Sequence, residues 1–230
     1  MIQINELHLS NMKKTWQSHW IYFTIYMVFA VISCYYLLQF SKQEIHLFLN
    51  SFHRPFNDLF FKSITYIGDG ITIVIIVLFS LFWSKRYALQ IGLSGIVSGL
   101  IAQVLKKVVF GPTPRPSKYF NDLEIPLHYV KGVELHTVFS FPSGHATAVF
   151  ALTTSILLNL HKKQGDLSLI ILAILTAYSR IYLSQHFLSD VLFGSFIGIT
   201  VALLVNKFLN NTYLRQKKTL DKPLINLMKN

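Results

Sequence analysis

Ser179-Arg180-Ile181-Tyr182-Leu183-Ser184-Gln185-His186-Phe187-Leu188-Ser189-Asp190 joins two long apolar segments and carries a permanent cation, an imidazole and a carboxylate. Ionisable side chains at the edge of a bilayer are costly unless they meet partners, so a cluster of them there marks a working site. The runs on either side decide the fold class. Hydrophobic residues make up 52% of the 230-residue chain and charged residues 13%, against roughly 25% charged in a soluble domain. Six stretches reach or approach the ~20 helical residues that a bilayer requires: Trp20–Phe40, Ile64–Trp83, Ala88–Val109, Ala146–Leu160, Leu167–Leu183 and Val191–Phe208. The fourth is the shortest and borrows neighbouring residues to span. The expected architecture is therefore all-α and polytopic. A single six-helix membrane domain occupies 1–230, with a chemistry-bearing core at 106–190, a basic tail at 209–230 and no soluble domain.

Charge sets the orientation. An even number of spans puts both termini on one side, together with loops 84–87 and 161–166. That side collects Lys13, Lys14, Lys85, Arg86, Lys162 and Lys163, and then Lys207, Arg215, Lys217, Lys218, Lys222 and Lys229. The positive-inside rule makes it cytoplasmic and the membrane a plasma membrane face. The net charge of +11 is then a topology signal. Its spread over four segments argues against a nucleic-acid partner, and a basic tail beside anionic lipid is the expected consequence. Cys34 is the only cysteine, which excludes an intrachain disulfide or a cysteine metal cluster. The apolar run continues past it through Tyr35-Tyr36-Leu37-Leu38, as in an uncleaved first helix rather than a lipoprotein signal.

Parity assigns 41–63, 110–145 and 184–190 to the extracytoplasmic face. In the first, Ile45, Phe48, Leu49 and Phe52 recur at helical spacing with Glu44, His46 and Asn50 between them. A helix lying in the interface fits this pattern, and so does one packed on the second span. Asp69, in Gly68-Asp69-Gly70, either caps the second span or faces the site. The long second segment opens with Gly111-Pro112-Thr113-Pro114-Arg115-Pro116, whose prolines stop span three, and its length is that of a functional loop. A small hairpin is expected over Leu127–Leu135, around Lys131-Gly132.

Three pieces meet on that face: Lys106-Lys107 with Arg115-Pro116, then Phe141-Pro142-Ser143-Gly144-His145, then the opening stretch. Lys and Arg supply charge and donors that match phosphate oxygens. Pro142 suits a first helical turn. Ser143, Gly144 and His145 follow where free N–H groups and the helix dipole favour an anion. His186 and Asp190 are four apart and share a helix face, so the carboxylate can hold the imidazole in one tautomer. Alone, each reads blandly: snorkelling lysines, a turn, a helix cap, a structural helix pair, an interface anchor. Their convergence on one face does not.

These residues resemble the type 2 phosphatidic acid phosphatase superfamily of integral-membrane lipid phosphate phosphatases. Its signature reads Lys-x6-Arg-Pro, Pro-Ser-Gly-His, and Ser-Arg-x5-His-x3-Asp. The second stands here as Pro142-Ser143-Gly144-His145 and the third as Ser179-Arg180, His186 and Asp190 at matching spacing. The first departs, since seven residues rather than six separate Lys107 from Arg115. The lysine role is carried to Lys107, with a one-residue bulge in the Gly-Pro loop absorbing the insertion.

The resemblance implies a metal-independent hydrolysis of a lipid phosphate or pyrophosphate. Undecaprenyl pyrophosphate, phosphatidylglycerophosphate and phosphatidic acid are the expected substrates. His186 would form a phosphohistidine, Asp190 would orient it and His145 would protonate the leaving oxygen. Lys107, Arg115, Ser143, Gly144 and Arg180 would hold the phosphoryl group. No cofactor, metal or obligate protein partner is expected. A phosphotransferase on the same fold is the alternative. A transporter fits less well, because the ionisable cluster lies at one surface rather than mid-bilayer and no inverted repeat is evident. A metal hydrolase built on His145, His186 and Asp190 is opposed by the surrounding cations.

Overall fold

The computed structural model describes residues 17–160, 165–210, 214 and 216–224. All regular structure among them is helical. The main helices are α1 (Trp20–Gln39), α2 (Lys42–Leu49), α3 (Pro55–Ile64), α4 (Gly70–Ser80), α5 (Lys85–Val104), α6 (Pro116–Asp122), α7 (Gly144–Asn159), α8 (Asp166–Tyr182) and α9 (Leu188–Leu209). A 3₁₀ turn, Thr65–Gly68, links α3 to α4, and α5 runs on into a π turn, Leu105–Val109.

Helix α1, α5 with its π extension, and α9 are each long and apolar enough to cross a membrane unaided. Helices α3 and α4 make a fourth only if the pair, bent by 58°, counts as one span. Helices α7 and α8 run 16 and 17 residues. The second span expected over Ile64–Trp83 is thus interrupted. At the bend Gly68 lies against His145 of α7, where a methyl would come within 2.9 Å of the His145 carbonyl oxygen. Asp69 then caps α4 by accepting from the Ile71 N–H at 2.9 Å.

The amphipathic segment 41–63 is also two helices rather than one. Ser41 and Glu44 form a capping box that opens α2, and Pro55 at the first turn opens α3. Around Lys131-Gly132 the chain turns without pairing as strands. Gly132 adopts φ +72, and Lys62 Nζ donates to the Lys131 carbonyl at 2.8 Å. The loop is held by α3 rather than by itself. The reading of 161–166 as a cytoplasmic loop falls largely outside the described residues, as do Lys13, Lys14, Lys162, Lys163, Arg215 and Lys229.

The core is an α7–α9 pair. Gly194 and Gly198, one helical turn apart, let the two backbones approach closely, as small residues do between membrane helices. A methyl on Gly194 would sit 2.6 Å from the Ser143 carbonyl oxygen, and one on Gly198 would collide with the backbone of Thr147 and Ala151. Polar bonds tie other helices to this pair. Gln90 Nε2 donates to the Ala202 carbonyl at 2.9 Å, joining α5 to α9. Tyr22 Oη shares hydrogen bonds with Thr153 and Thr154 of α7. The opposite faces expose Val31 and Leu38 of α1, Ile71 and Val74 of α4, and Ile96 and Leu100 of α5, an apolar exterior suited to lipid. The close α7–α9 crossing brings the two helix N-termini together: the Ser143 N–H donates to the Asp190 carbonyl at 3.0 Å.

Candidate active site

The turn between α8 and α9 delivers the imidazole. The Gln185 and His186 N–H groups both donate to the Arg180 carbonyl, at 2.9 and 3.1 Å. Ser184 takes φ +53, the left-handed conformation that commonly ends a helix. Asn50, at the end of α2, braces this reversal by donating from Nδ2 to the Tyr182 carbonyl (2.8 Å) and Ser184 Oγ (3.2 Å). His186 is left fully buried at the mouth of α9.

Its two ring nitrogens meet different groups. Nδ1 lies 3.4 Å from Asp190 Oδ2. Nε2 lies 3.3 Å from Arg115 Nη1, which can only donate. The consistent tautomer therefore has the proton on Nδ1 and the lone pair on Nε2. Asp190 Oδ2 is fixed by the Phe187 N–H at 3.0 Å and by Ser140 Oγ–H at 2.5 Å. Burial pushes His186 down from its ordinary range to about 3; the Asp190 contact opposes the shift and Arg115 adds to it. The ring is therefore neutral at physiological pH, with an unprotonated Nε2 that accepts from Arg115.

Cations surround it. Arg115 donates from Nε to the Val138 carbonyl (2.9 Å) and from Nη1 to the Gln185 carbonyl and Oε1 (3.1 and 3.2 Å). Arg180 donates from Nη1 to Thr65 Oγ1 at 2.7 Å, while its buried Nε has no partner. A buried, unpaired guanidinium N–H is costly and suits an incoming oxyanion. Arg180 also feels the charge of Asp69, so Asp69 both caps α4 and lies within electrostatic reach of the site.

Ser143 caps α7, its hydroxyl accepting from the Ala146 N–H at 3.3 Å. The space where a Gly144 side chain would stand is open. His145, partly buried in the first turn of α7, is electrostatically coupled to Arg180, His186, Arg115 and Lys106. Seven of the eight expected residues thus converge: Arg115, Ser143, Gly144, His145, Arg180, His186 and Asp190.

Lys107 does not join them, and here the expectation is corrected. Lys107 is exposed, whereas Lys106 is only 7% exposed and is coupled to Arg115, Asp190 and Arg180. The reason is the π turn over Leu105–Val109. One extra residue per turn rotates the side chains about the helix axis, so the lysine facing the cluster is one position earlier than helical counting suggests. The added length is taken up in the helix as well as in the Gly-Pro loop.

Ser140, Gln185, Thr65 and Asn50, which hold the catalytic-looking groups in place, carry no signal in the sequence. Each is a single polar residue whose partner lies far along the chain. His46 belongs with them. Its ring packs between those of Phe120 (5.3 Å) and Phe187 (5.4 Å), and burial pushes it down to about 4, so it stands as a neutral wall behind the turn.

Comparison with known proteins identifies the family. The family model described as PAP2 superfamily matches residues 85–213. A lipid A 4'-phosphatase from Porphyromonas gingivalis is 32% identical over 189 residues, 78% of this chain and 75% of that protein. The undecaprenyl-diphosphatase BcrC of Bacillus subtilis is 28% identical over 150 residues, covering 65% and 72%. Among solved structures, the transmembrane PAP2-type phosphatidylglycerolphosphate phosphatase of Bacillus subtilis superposes with a TM-score of 0.61 at 22% identity, covering 85% of this chain and 97% of that one.

Proposed function

The chain belongs to the PAP2 superfamily and is a membrane lipid phosphatase, and on that premise we propose that it works through a phosphohistidine on His186. The observation that carries the proposal is the lone pair on Nε2 of a buried neutral imidazole, turned toward Arg115 Nη1 at 3.3 Å, with Asp190 behind the other nitrogen. In the first step Nε2 attacks phosphorus, the bond to the lipid oxygen breaks, and His145 gives that oxygen a proton. In the second, His145 takes a proton from water as the water attacks phosphorus. The N–P bond breaks, its electron pair returns to Nε2, and inorganic phosphate leaves. Arg115, Arg180, Lys106, Ser143 and the Gly144 N–H hold the equatorial oxygens, where developing charge is best stabilised by fixed donors. Arg180 Nε, unpaired without an anion, is the clearest such donor.

The substrate is a lipid phosphomonoester or pyrophosphate whose tail stays in the bilayer beside the apolar helix faces. The relatives' names span lipid A, polyprenyl and glycerophospholipid head groups, so the phosphate and not the tail is what they share. Six spans, cytoplasmic termini and a site on the extracytoplasmic face complete the reading, supported by the basic residues at 84–87 and in the tail. Labelled phosphatidic acid, phosphatidylglycerophosphate, undecaprenyl pyrophosphate and a lipid A phosphate, each quenched in alkali during turnover, provide the test. An alkali-stable phosphoenzyme in the wild type and its loss in His186→Ala are expected. Turnover by His186→Ala at the wild-type rate would overturn the nucleophile.

A further inference from the structure

A second cluster lies beside the turn of α8, built from residues that the phosphatase chemistry does not use. His53 follows α2, Asp58 sits in the first turn of α3, and His128 comes from the long loop between α6 and α7. His53 Nδ1 is 3.1 Å from Asp58 Oδ1, and His128 Nε2 is 3.1 Å from Asp58 Oδ2. The two imidazoles lie against each other, tilted by 39°, with centroids 4.0 Å apart. One ligand atom from each residue can be chosen so that all lie within 4.8 Å of one another. Among the described residues no other trio of His, Cys, Asp or Glu does this.

We infer that His53, Asp58 and His128 form a zinc site that clasps the long loop to α3. The ligand set is two imidazoles and one carboxylate, a combination suited to borderline divalent ions. Ligands 2.0–2.1 Å from a tetrahedral ion stand about 3.3 Å from each other. Each imidazole already has one Asp58 oxygen at 3.1 Å, Oδ1 for His53 and Oδ2 for His128, and binding would draw the three ligand atoms together from within 4.8 Å. With each ring proton on its far nitrogen, His53 Nδ1 and His128 Nε2 both turn a lone pair toward the carboxylate, where the ion would sit. Asp58 is oriented from behind by the Tyr182 hydroxyl, which donates to Oδ1 at 2.5 Å. Such an outer partner is what a metal-bound carboxylate needs. Tyr182 itself packs against His53, with centroids 4.4 Å apart. His128 is half exposed, which gives the ion a path in and leaves one coordination position for water.

The clasp has a structural consequence. The same loop supplies the carbonyls of Val138 and Phe139 that hold Arg115 and the His136 carbonyl that accepts from Ser117. At present it is tied to α3 by Lys62 on the Lys131 carbonyl and by His128 on Asp58. An ion bridging three segments would lock that loop, stabilising the fold without touching the phosphate. None of its ligands belongs to the phosphate cluster, so the inference stands or falls apart from the mechanism above.

The test uses the full chain, purified in detergent with a histidine-free tag, stripped with EDTA and dialysed against zinc chloride. We expect about one zinc per chain and a rise in melting temperature on zinc addition. His128→Ala, chosen because the side chain is half exposed and its loss should leave the fold intact, should weaken zinc binding by more than about 100-fold and abolish the thermal shift. Tyr182→Phe, which removes only the outer partner, should weaken it by about 10- to 100-fold. Phosphate release by His128→Ala should persist and serves as the check on folding. Equal zinc binding by wild type and His128→Ala, or no binding by the wild type at micromolar zinc, would overturn the site.

Discussion

His145, His186 and Asp190 stand on two helix ends clamped together by Gly194 and Gly198, whereas Lys106 and Arg115 stand on a π turn and a proline-rich loop. On the first side the geometry is set by backbone contact. The Ser143 N–H bonds the Asp190 carbonyl, and a methyl on Gly194 or Gly198 would collide with the α7 backbone. On the second side it is set by side chains and loop carbonyls, with Arg115 hung from Val138, Phe139 and Gln185. The difference explains where spacing is strict. The motifs on the clamped side match their family pattern residue for residue, and the insertion falls on the side that a π turn and a loop can absorb.

Four measurements break or sharpen this contrast. The largest effect is expected at the clamped side's proposed nucleophile: His186→Ala should reduce phosphate release by about 10³-fold or more, with the folded protein retained. Next, Lys106→Ala should lower kcat/KM by about 10²-fold, the usual loss for one donor to a developing oxyanion. Lys107→Ala should stay within about twofold, and equal losses for the two lysines would refute the assignment of the facing residue. Third, Gly198→Leu should destabilise the α7–α9 pair by about 1–3 kcal/mol, the range for overpacked cores, seen as a lower melting temperature in detergent. A matched Val108→Leu change at the exposed side of the π turn after α5 should be close to neutral.

The smallest effect is in the pH profile. Burial holds His186 at about 3, below its ordinary value. In the proposed mechanism the neutral ring is the reactive form, so its contribution is present above that value and lost only as pH falls through it. From pH 7 down to about 5, kcat/KM should show no acid limb from this group. Arg115→Ala removes a charge that lowers the value, so the limb should move upward relative to wild type on the same substrate. An unmoved limb would separate Arg115 from the imidazole. The same linkage bears on stability. A histidine whose value is depressed by folding favours the unfolded chain once it is protonated, so the fold should weaken as pH falls from about 6.5 toward 3.

Much of the site was legible because its parts are local. Pro142–His145 and Ser179–Asp190 are continuous stretches, and helix geometry alone relates residues within each. The helix count was less legible. Asp69 and its flanking glycines read as the start of a span, yet at the bend there Gly68 meets His145 of α7, a contact between residues far apart in the chain. Lys107 was misplaced for a similar reason. Counting along an α-helix assumes a constant period, and a π turn changes it without any mark in composition. Ser140, Thr65 and Gln185 gave no signal, because each acts only through a partner that folding brings to it.

Composition, run length and two contiguous motifs by themselves determined that this is a helical membrane phosphatase and named the imidazole and carboxylate at its centre. They suffice because hydrophobic length and residue spacing are properties of the chain alone. Only the tertiary structure decided which lysine is buried beside Arg115 and Asp190, how Asp190 is pinned by Ser140, and that His53, Asp58 and His128 meet. Those are distances between segments, and they are set by how helices pack: by where glycine lets two backbones touch and where a turn rotates a side chain.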